Sequence, residues 1–365
     1  MNVILAGGGT AGHVFPALAV AEELRNRGAS ITFVGAADGQ EAKLVPAAGY
    51  RFVPVDAISS QSRLSLRSIK AVALAVRAAR GLRSLVAASD VVVGFGGFAS
   101  APAVLAARWT SRPLVLIDPN SVPGIVTRIG SRWARVVATT FEAIAARLPA
   151  GVRIELTGNP IRPAVVSVLA DRDRLRPEAR VEFGLQPGRS TILVTGGSQG
   201  ALHLDQAVAG ALEPLRARRD LQLLVSSGPG HEDVVAAAID PHADIVVRVI
   251  GFIERMDLAL AIADVSVSRS GAGLVEVAAC GVPGILVPYP HATENHQEAN
   301  AREVVEAGAA TMIFDRELSP SRLASCILEL VDDPGRRREM SAAALRWARP
   351  DAARRVADLV EEVLS

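Results

Sequence analysis

Short apolar runs rich in Val, Ile and Leu alternate along this chain with longer segments in which Ala, Leu and Arg recur at helical spacing. The runs at 2–6, 31–35, 51–55, 90–93, 114–117, 136–138 and 154–156 predict strands, with helical patterns between most of them. The alternation starts again after Pro163, a polar stretch and Gly188, with runs at 191–194, 221–225, 245–249, 265–267, 285–287 and 311–314. The last 45 residues, 321–365, read as helical. Strands apolar along their whole length and joined by helices are buried on both faces, which implies an α/β chain with parallel, doubly wound sheets.

Both halves open alike. Val3-Ile4-Leu5-Ala6-Gly7-Gly8-Gly9-Thr10-Ala11-Gly12-His13 and Ile192-Leu193-Val194-Thr195-Gly196-Gly197-Ser198-Gln199-Gly200-Ala201 are each an apolar strand, a glycine loop carrying a hydroxyl residue, and a helix start. Two Rossmann-like domains facing across a cleft are expected, with the ligand outside the carboxyl ends of the strands. The expected boundaries are 1–163 and 164–345, followed by a helix at 346–365 that packs back on the N-terminal domain.

A length of 365 residues with half of them hydrophobic fits two folded domains. Gly and Pro together number 31 + 21 = 52, which excludes collagen-like and wholly disordered chains. The two cysteines, Cys280 and Cys326, sit in apolar surroundings, too few for a disulfide framework and without metal-ligand spacing, so a reducing compartment is expected. The uncharged stretch 91–107 is broken by Gly94, Gly96, Gly97, Ser100 and Pro102 and reads as strand, turn and helix rather than a membrane span. The start has no basic leader and turns to glycine at Gly7, so an intracellular protein is expected.

The net charge of +1 hides an asymmetry. Residues 1–165 hold 18 Lys/Arg and 9 Asp/Glu, a net of +9, whereas residues 166–365 hold 21 and 29, a net of −8. Arg63, Arg67, Lys70 and Arg77 fall near helical spacing, followed by Arg80 and Arg83, with Ile69, Val72 and Val76 on the opposite side. Such a helix can lie on an anionic membrane surface, or it can be an ordinary solvated helix with its apolar face in the core. Nucleic acid is a poor partner, because no aromatic residues interleave with these cations and the chain is only 4% aromatic.

The glycine loops suit an anion, since small residues let backbone amides approach it at a helix N-terminus, and a diphosphate is the natural guest. Gly7, Gly9 and Gly12 satisfy G-x-G-x-x-G, but Val34, Gly35, Ala36 and Ala37 stand where a dehydrogenase would place its ribose-binding acid. His13 lies where the first helix begins; the helix N-terminus opposes its protonation, so a neutral imidazole there can act as a general base or can merely cap and pack. A second strand end, Ser268-Arg269-Ser270-Gly271-Ala272-Gly273-Leu274-Val275-Glu276, offers amides and Arg269 to phosphate and Glu276 to ribose hydroxyls, unless Glu276 is simply solvated. Gln297 and Asn300, at i and i+3 in the polar stretch 291–300, share a helix face that can grip sugar hydroxyls. The six histidines are scattered, with His291 and His296 off zinc spacing, and no Gly-x-Ser-x-Gly elbow occurs.

Taken together, Gly8-Gly9-Thr10-Ala11-Gly12-His13-Val14-Phe15-Pro16, Gly158-Asn159-Pro160-Ile161-Arg162, Gly196-Gly197-Ser198-Gln199-Gly200-Ala201, Arg269-Ser270-Gly271-Ala272 and Gln297-x-x-Asn300 resemble the MurG family of peptidoglycan N-acetylglucosaminyltransferases, which turn lipid I into lipid II. The resemblance runs from the first strand to the last helices. It implies a GT-B fold, an acceptor-binding N-terminal domain seated peripherally on the cytoplasmic face of the inner membrane, a C-terminal domain holding UDP-N-acetylglucosamine, and transfer with inversion without a tightly held metal or cofactor. Thr10, Ala11, Gly12, Asn120, Arg162, Ser198, Ile253, the 272–276 segment with Ala272, Gly273, Leu274 and Glu276, and Gln297 match its donor-site positions. By that match Ser198 meets a phosphate, the Ile253 backbone the uracil, Glu276 the ribose, and Gln297 with Asn300 the sugar. His13 is the first candidate for the base and Asp118 the second, as the carboxylate can instead orient the acceptor.

The chain departs from the family pattern in three places. The usual His-Glu-Gln-Asn is Ile117-Asp118-Pro119-Asn120, an asparagine usual seven residues after Asn120 is Thr127, and the Arg269 to Glu276 loop is one residue short. A GT-B transferase with another lipid or natural-product acceptor, a UDP-sugar epimerase and a catalytically inactive nucleotide-binding scaffold are the alternatives.

Overall fold

The computed structural model describes residues 1–8, 11–57, 66–197 and 200–365, with side chains throughout except at 11 and 66–69. Every apolar run expected as a strand forms one, with ends shifted by no more than two residues. The chain divides into two units, Met1–Arg162 with Arg349–Ser365, and Pro163–Ala348.

The first unit runs β1 (Asn2–Ala6), α1 (Ala11–Asn26), β2 (Ser30–Ala36), α2 (Glu41–Ala47), β3 (Arg51–Val55), α3 (Leu66–Ala87), β4 (Val91–Gly94), α4 (Gly97–Trp109), β5 (Leu114–Asp118), α5 (Ile125–Gly130), β6 (Val136–Thr139) and β7 (Ile154–Leu156). Its seven strands are all parallel, in the order β3-β2-β1-β4-β5-β6-β7. The pleat explains why β1 is apolar throughout. Val3 and Leu5 enter a core shared with Val14, Val20 and Leu24 of α1, whereas Ile4 and Ala6 enter the opposite core with Leu82 and Val86 of α3 and Ala103 and Ala107 of α4.

The second unit runs α6 (Pro163–Val166), α7 (Val168–Phe183), β8 (Ser190–Thr195), α8 (Leu202–Leu215), β9 (Leu221–Ser226), α9 (Glu232–Ala236), β10 (Val246–Ile250), α10 (Met256–Ile262), β11 (Val265–Ser268), α11 (Leu274–Ala279), β12 (Gly284–Leu286), α12 (His296–Glu306), β13 (Ala310–Met312), α13 (Pro320–Val331) and α14 (Pro334–Trp347). Its parallel sheet has the order β10-β9-β8-β11-β12-β13. The last two helices begin where side-chain chemistry starts them: Ser319 accepts from the Arg322 amide and Asp333 from the Arg336 amide, each with proline at the first helical position.

After Ala348 the chain returns to the first unit. The final helix, α15 (Ala352–Glu362), lays Val356, Ala357, Leu359 and Val360 into the core beside α1. Ion pairs from Arg27 to Glu361 and Asp358, each 2.8 Å, and from Arg153 to Glu362 at 2.6 Å rim that contact. Solvent-exposed pairs of this kind contribute little, so the buried aliphatic stripe is what seats the helix.

The basic segment is helical as α3, with Lys70, Arg77, Arg80 and Arg83 exposed. Its apolar face needs correction: the buried stripe is Ala71, Ala79, Leu82 and Val86, whereas Val72 is 65% exposed among the cations and Val76 is half-buried. Packing against α4 selects that stripe. Arg63 lies outside the described residues, as do the side chains of Arg67 and Ile69. Among the described residues no helix is long and apolar enough to cross a membrane.

Candidate functional site

Each sheet has one place where the strand order reverses direction, between β1 and β4 in the first unit and between β8 and β11 in the second. Loops leaving adjacent strands at such a point part to opposite faces and open a crevice at the carboxyl edge. The glycine turns that begin at Gly7, Gly96, Gly196 and Ser270 leave these four strands.

In the first unit Gly7 and Gly8 follow β1, and Phe95, Gly96 and Gly97 follow β4. The Phe95 amide donates to the Ala6 carbonyl at 2.8 Å, so the two turns leave the sheet side by side. His13, in the first turn of α1, lies across the second turn, its Nδ1 3.7 Å from where a Cβ would stand on Gly97 and its Nε2 3.8 Å from that position on Gly96. The imidazole is half-buried and thus reachable from the crevice. Gly9 and Thr10 lie outside the described residues, and Ala11 and Gly12 open α1. The Arg162 guanidinium rests over the ring of Phe15, 4.6 Å from its centre, which brings it to the same end of α1.

Asp118 closes β5, one strand beyond β4. Its carboxylate is 3% exposed and accepts from two backbone amides, Asn120 at 3.1 Å through Oδ1 and Gly124 at 3.0 Å through Oδ2. Burial pushes its pKa up to about 6, a rise that the Thr127 hydroxyl and the Gly124 and Asn120 amides partly oppose. Both oxygens are thus occupied in folding the 119–124 turn that carries Asn120. A carboxylate so engaged is suited to holding a loop, and the half-buried His13 is the better placed of the two to accept a proton. Thr127, at the position of the family's asparagine, is buried on α5 beside this carboxylate.

In the second unit Gly196 and Gly197 follow β8, and Ser198 and Gln199 lie outside the described residues. Gly200 has φ +77°, and a Cβ there would fall 2.2 Å from the Ser227 carbonyl, so only glycine lets this turn sit against the turn after β9. Ile253 follows β10 and is buried as a whole residue, 2% exposed. After β11, Ala272 and Gly273 are accessible, Glu276 is half-buried in the first turn of α11, and Leu274 is a core side chain.

Two expectations for this unit change. Arg269, expected at a phosphate, is buried: Nη1 donates to Asp315 at 2.5 Å and to the Val287 and Pro288 carbonyls, and the guanidinium lies over the Tyr289 ring. His203 meets the other oxygen of Asp315 at 2.8 Å. Burial works to raise the Asp315 pKa, yet Arg269 and His203 hold the carboxyl below its usual range. Asn300, expected to share an accessible face with Gln297, is wholly buried and donates to the Ser270 carbonyl at 3.1 Å, because this position of α12 turns inward onto the 270–273 turn. The Gln297 side chain accepts from the Tyr289 amide at 3.0 Å, and its Nε2 lies 3.7 Å from the Cβ position of Gly271, so Gln297 alone of the two stays half-buried beside that turn.

Other groups at these crevices carried no signal in the sequence. Glu41, at the start of α2, is 1% exposed; it accepts from the Ala36 amide at 2.8 Å and fills the space where side chains on Gly8, Gly35 and Gly39 would stand. Asp205, in the first turn of α8, is wholly buried with His231 facing it.

The chain matches the Glycosyltransferase family 28 N-terminal domain over residues 3–139 and the Glycosyltransferase family 28 C-terminal domain over residues 191–362. It is 40% identical to the UDP-N-acetylglucosamine–N-acetylmuramyl-(pentapeptide) pyrophosphoryl-undecaprenol N-acetylglucosamine transferase of Clavibacter sepedonicus, over 99% of this chain and 96% of that one. The protein of the same name from Halothermothrix orenii is 34% identical over 99% of each. Among solved structures, MurG of Acinetobacter baumannii superposes with a TM-score of 0.78 at 29% identity, covering 99% of both chains. The UDP-GlcNAc 2-epimerase of Neisseria meningitidis, bound to UDP-GlcNAc, reaches a TM-score of 0.70 at 13% identity over 99% of this chain and all of that one, a likeness of fold alone.

Proposed function

Because the chain belongs to the family of UDP-N-acetylglucosamine–N-acetylmuramyl-(pentapeptide) pyrophosphoryl-undecaprenol N-acetylglucosamine transferases, with the GT-B fold, we propose that it moves N-acetylglucosamine from UDP-N-acetylglucosamine to the muramoyl 4-hydroxyl of lipid I, giving lipid II. The observation that carries this reading is the placement of both glycine-turn pairs at the reversal points of two parallel sheets, with His13 over one of them.

In this reading the acceptor hydroxyl attacks the anomeric carbon from the face opposite the diphosphate. The new C–O bond forms as the bond to UDP breaks, the hydroxyl proton passes to the His13 imidazole, and UDP leaves carrying the electron pair. The first unit supplies His13 and the Asn120 turn held by Asp118. The second supplies amides of the 196–201 and 270–273 turns to the diphosphate, the Ile253 backbone to the uracil, Glu276 to the ribose and Gln297 to the sugar. Positioned amides at developing charge and one general base are each worth about 10²–10⁴ in rate. No resident metal or cofactor enters the scheme.

The exposed cations of α3 with Val72 among them support a peripheral seat on the anionic cytoplasmic face of the inner membrane, where each Lys or Arg contributes about 1 kcal/mol. Incubation with labelled UDP-N-acetylglucosamine and a lipid I analogue tests the activity: a disaccharide-linked product supports it, and an epimerised donor or binding without turnover refutes it. Co-sedimentation with phosphatidylglycerol vesicles, lost when Lys70, Arg77, Arg80 and Arg83 become Gln, tests the membrane seat.

A further inference from the structure

Asp205 and His231 lie beside Gly200, where the chain enters α8, and take no part in the scheme above. Asp205 is wholly buried, and among the described residues neither of its carboxylate oxygens has a hydrogen-bond partner. A buried carboxylate without donors is costly, so such a group either holds a proton or draws a cation to itself. The group that faces it is His231, just before α9, whose Nδ1 is buried, unpartnered and 4.0 Å from Oδ2. That separation is about 1 Å beyond a hydrogen bond. The rest of the ring reaches solvent, the side chain being 37% exposed, so protons can enter and leave.

The same Nδ1 lies 2.9 Å from the Cβ position of Gly200, and the Ser227 carbonyl presses on that position as well. A proton that drew the imidazole toward Asp205 would move it across the back of Gly200, at the turn that opens α8. The pair carries no net charge with one proton and a charge of −1 without it. Other charged groups nearby are already engaged. Arg269 is held by Asp315, whose second oxygen meets His203, and Glu232 of α9 turns onto Gly251. Asp233 of α9 is exposed, as are Arg322 and Glu329 on α13, which packs along α8.

We propose that the Asp205–His231 pair is a proton-linked positioning element for the diphosphate-facing turn of the second unit, taking up a proton when an esterified nucleoside diphosphate binds. The inference rests on the donor-site reading above and adds a coupling to it. A diphosphate over the 196–201 turn repels the deprotonated pair and tolerates the neutral one, so the ligand favours the protonated form and, by linkage, the proton favours the ligand. Burial raises the Asp205 pKa to about 6 against the opposing pull of the facing His231 and of the nearby Ala201 amide and Arg269, so the coupling falls near neutral pH.

The test is calorimetric titration of the full-length protein with UDP-N-acetylglucosamine, in buffers of different ionisation heat. Its diphosphate is esterified at both ends, so the ligand brings no titrating phosphate of its own into this range. The wild type is expected to take up part of a proton near neutral pH. It should bind about sevenfold more tightly at about pH 5.5 than at about pH 8, the effect of a one-unit shift in the pair from about 6 to about 7. Asp205→Asn, of the same shape, should bind with neither proton uptake nor that pH dependence, whereas His231→Gln, at a half-exposed position, removes a group that lowers the Asp205 pKa and should move the uptake to higher pH. A purely structural pair would leave the proton count of the variants unchanged. Wild-type binding without uptake, or the same uptake in both variants, overturns the coupling while leaving the donor site intact. No binding at any pH overturns the donor site and the coupling together.

Discussion

Replacing Asp118 by Asn separates the electrostatic cost of a buried carboxylate from the hydrogen bonds it makes. The Asp118 carboxyl moves from its ordinary 3.8 to about 6 in the folded chain, chiefly through burial. Two units amount to about 3 kcal/mol of stability at stake. Because the folded value is the higher one, this contribution is fully present below about pH 4, where the group is protonated in both states, and is lost as pH rises through about 6. Between about pH 5 and about pH 8 the loss comes to about 1 kcal/mol. Asparagine carries no charge and lacks this dependence. It also has one acceptor oxygen where the carboxylate has two, so either the Asn120 or the Gly124 amide loses its partner, at about 1–3 kcal/mol at every pH. The deficit of the variant relative to wild type should therefore shrink by about 1 kcal/mol between those two pH values. Urea unfolding followed by tryptophan fluorescence measures it, with Trp109 and Trp133 reporting from the same unit as Asp118. Other titrating groups are common to both proteins and cancel in the difference. If the two stabilities run parallel from pH 5 to pH 8, Asp118 is not the buried, charge-penalised group described above.

Three further outcomes follow from the same geometry. His13→Ala should cut kcat by about 10²–10⁴ while changing UDP affinity only a few-fold, and equal losses in steady-state turnover and calorimetric binding would remove its catalytic role. Gly200→Ala places a Cβ 2.2 Å from the Ser227 carbonyl at φ +77°, which should cost roughly 2–4 kcal/mol in thermal unfolding and weaken UDP binding; an unchanged melting temperature would contradict the turn. Ending the chain at Arg349 removes Val356, Leu359 and Val360 from the core of the first unit, about 5–9 kcal/mol of burial and comparable to a whole domain's stability. The first unit should then be rapidly proteolysed, and resistance equal to wild type would show that α15 is dispensable.

What could be read from the order of residues was whatever neighbours in sequence decide. Thirteen apolar runs became the strands of two parallel sheets because a β-branched stretch bounded by glycine, proline and polar residues has few other ways to bury itself. The glycine turns with His13 at a helix start were legible for the same reason, since strand, turn and helix are contiguous. Partners far apart in the chain were not. Arg269 has phosphate-binding chemistry on paper, but Asp315, 46 residues on, has already taken its charge. Asn300 shares helical spacing with Gln297 yet faces the Ser270 carbonyl, and Val72 looked like a core residue until α4 selected the neighbouring stripe. Glu41 beneath three glycines, and Asp205 against His231, have no local pattern at all. Periodicity tells which residues need burial or a partner; which partner each one meets depends on how sheets and helices stack, because a buried charge or amide is satisfied by the nearest group in space.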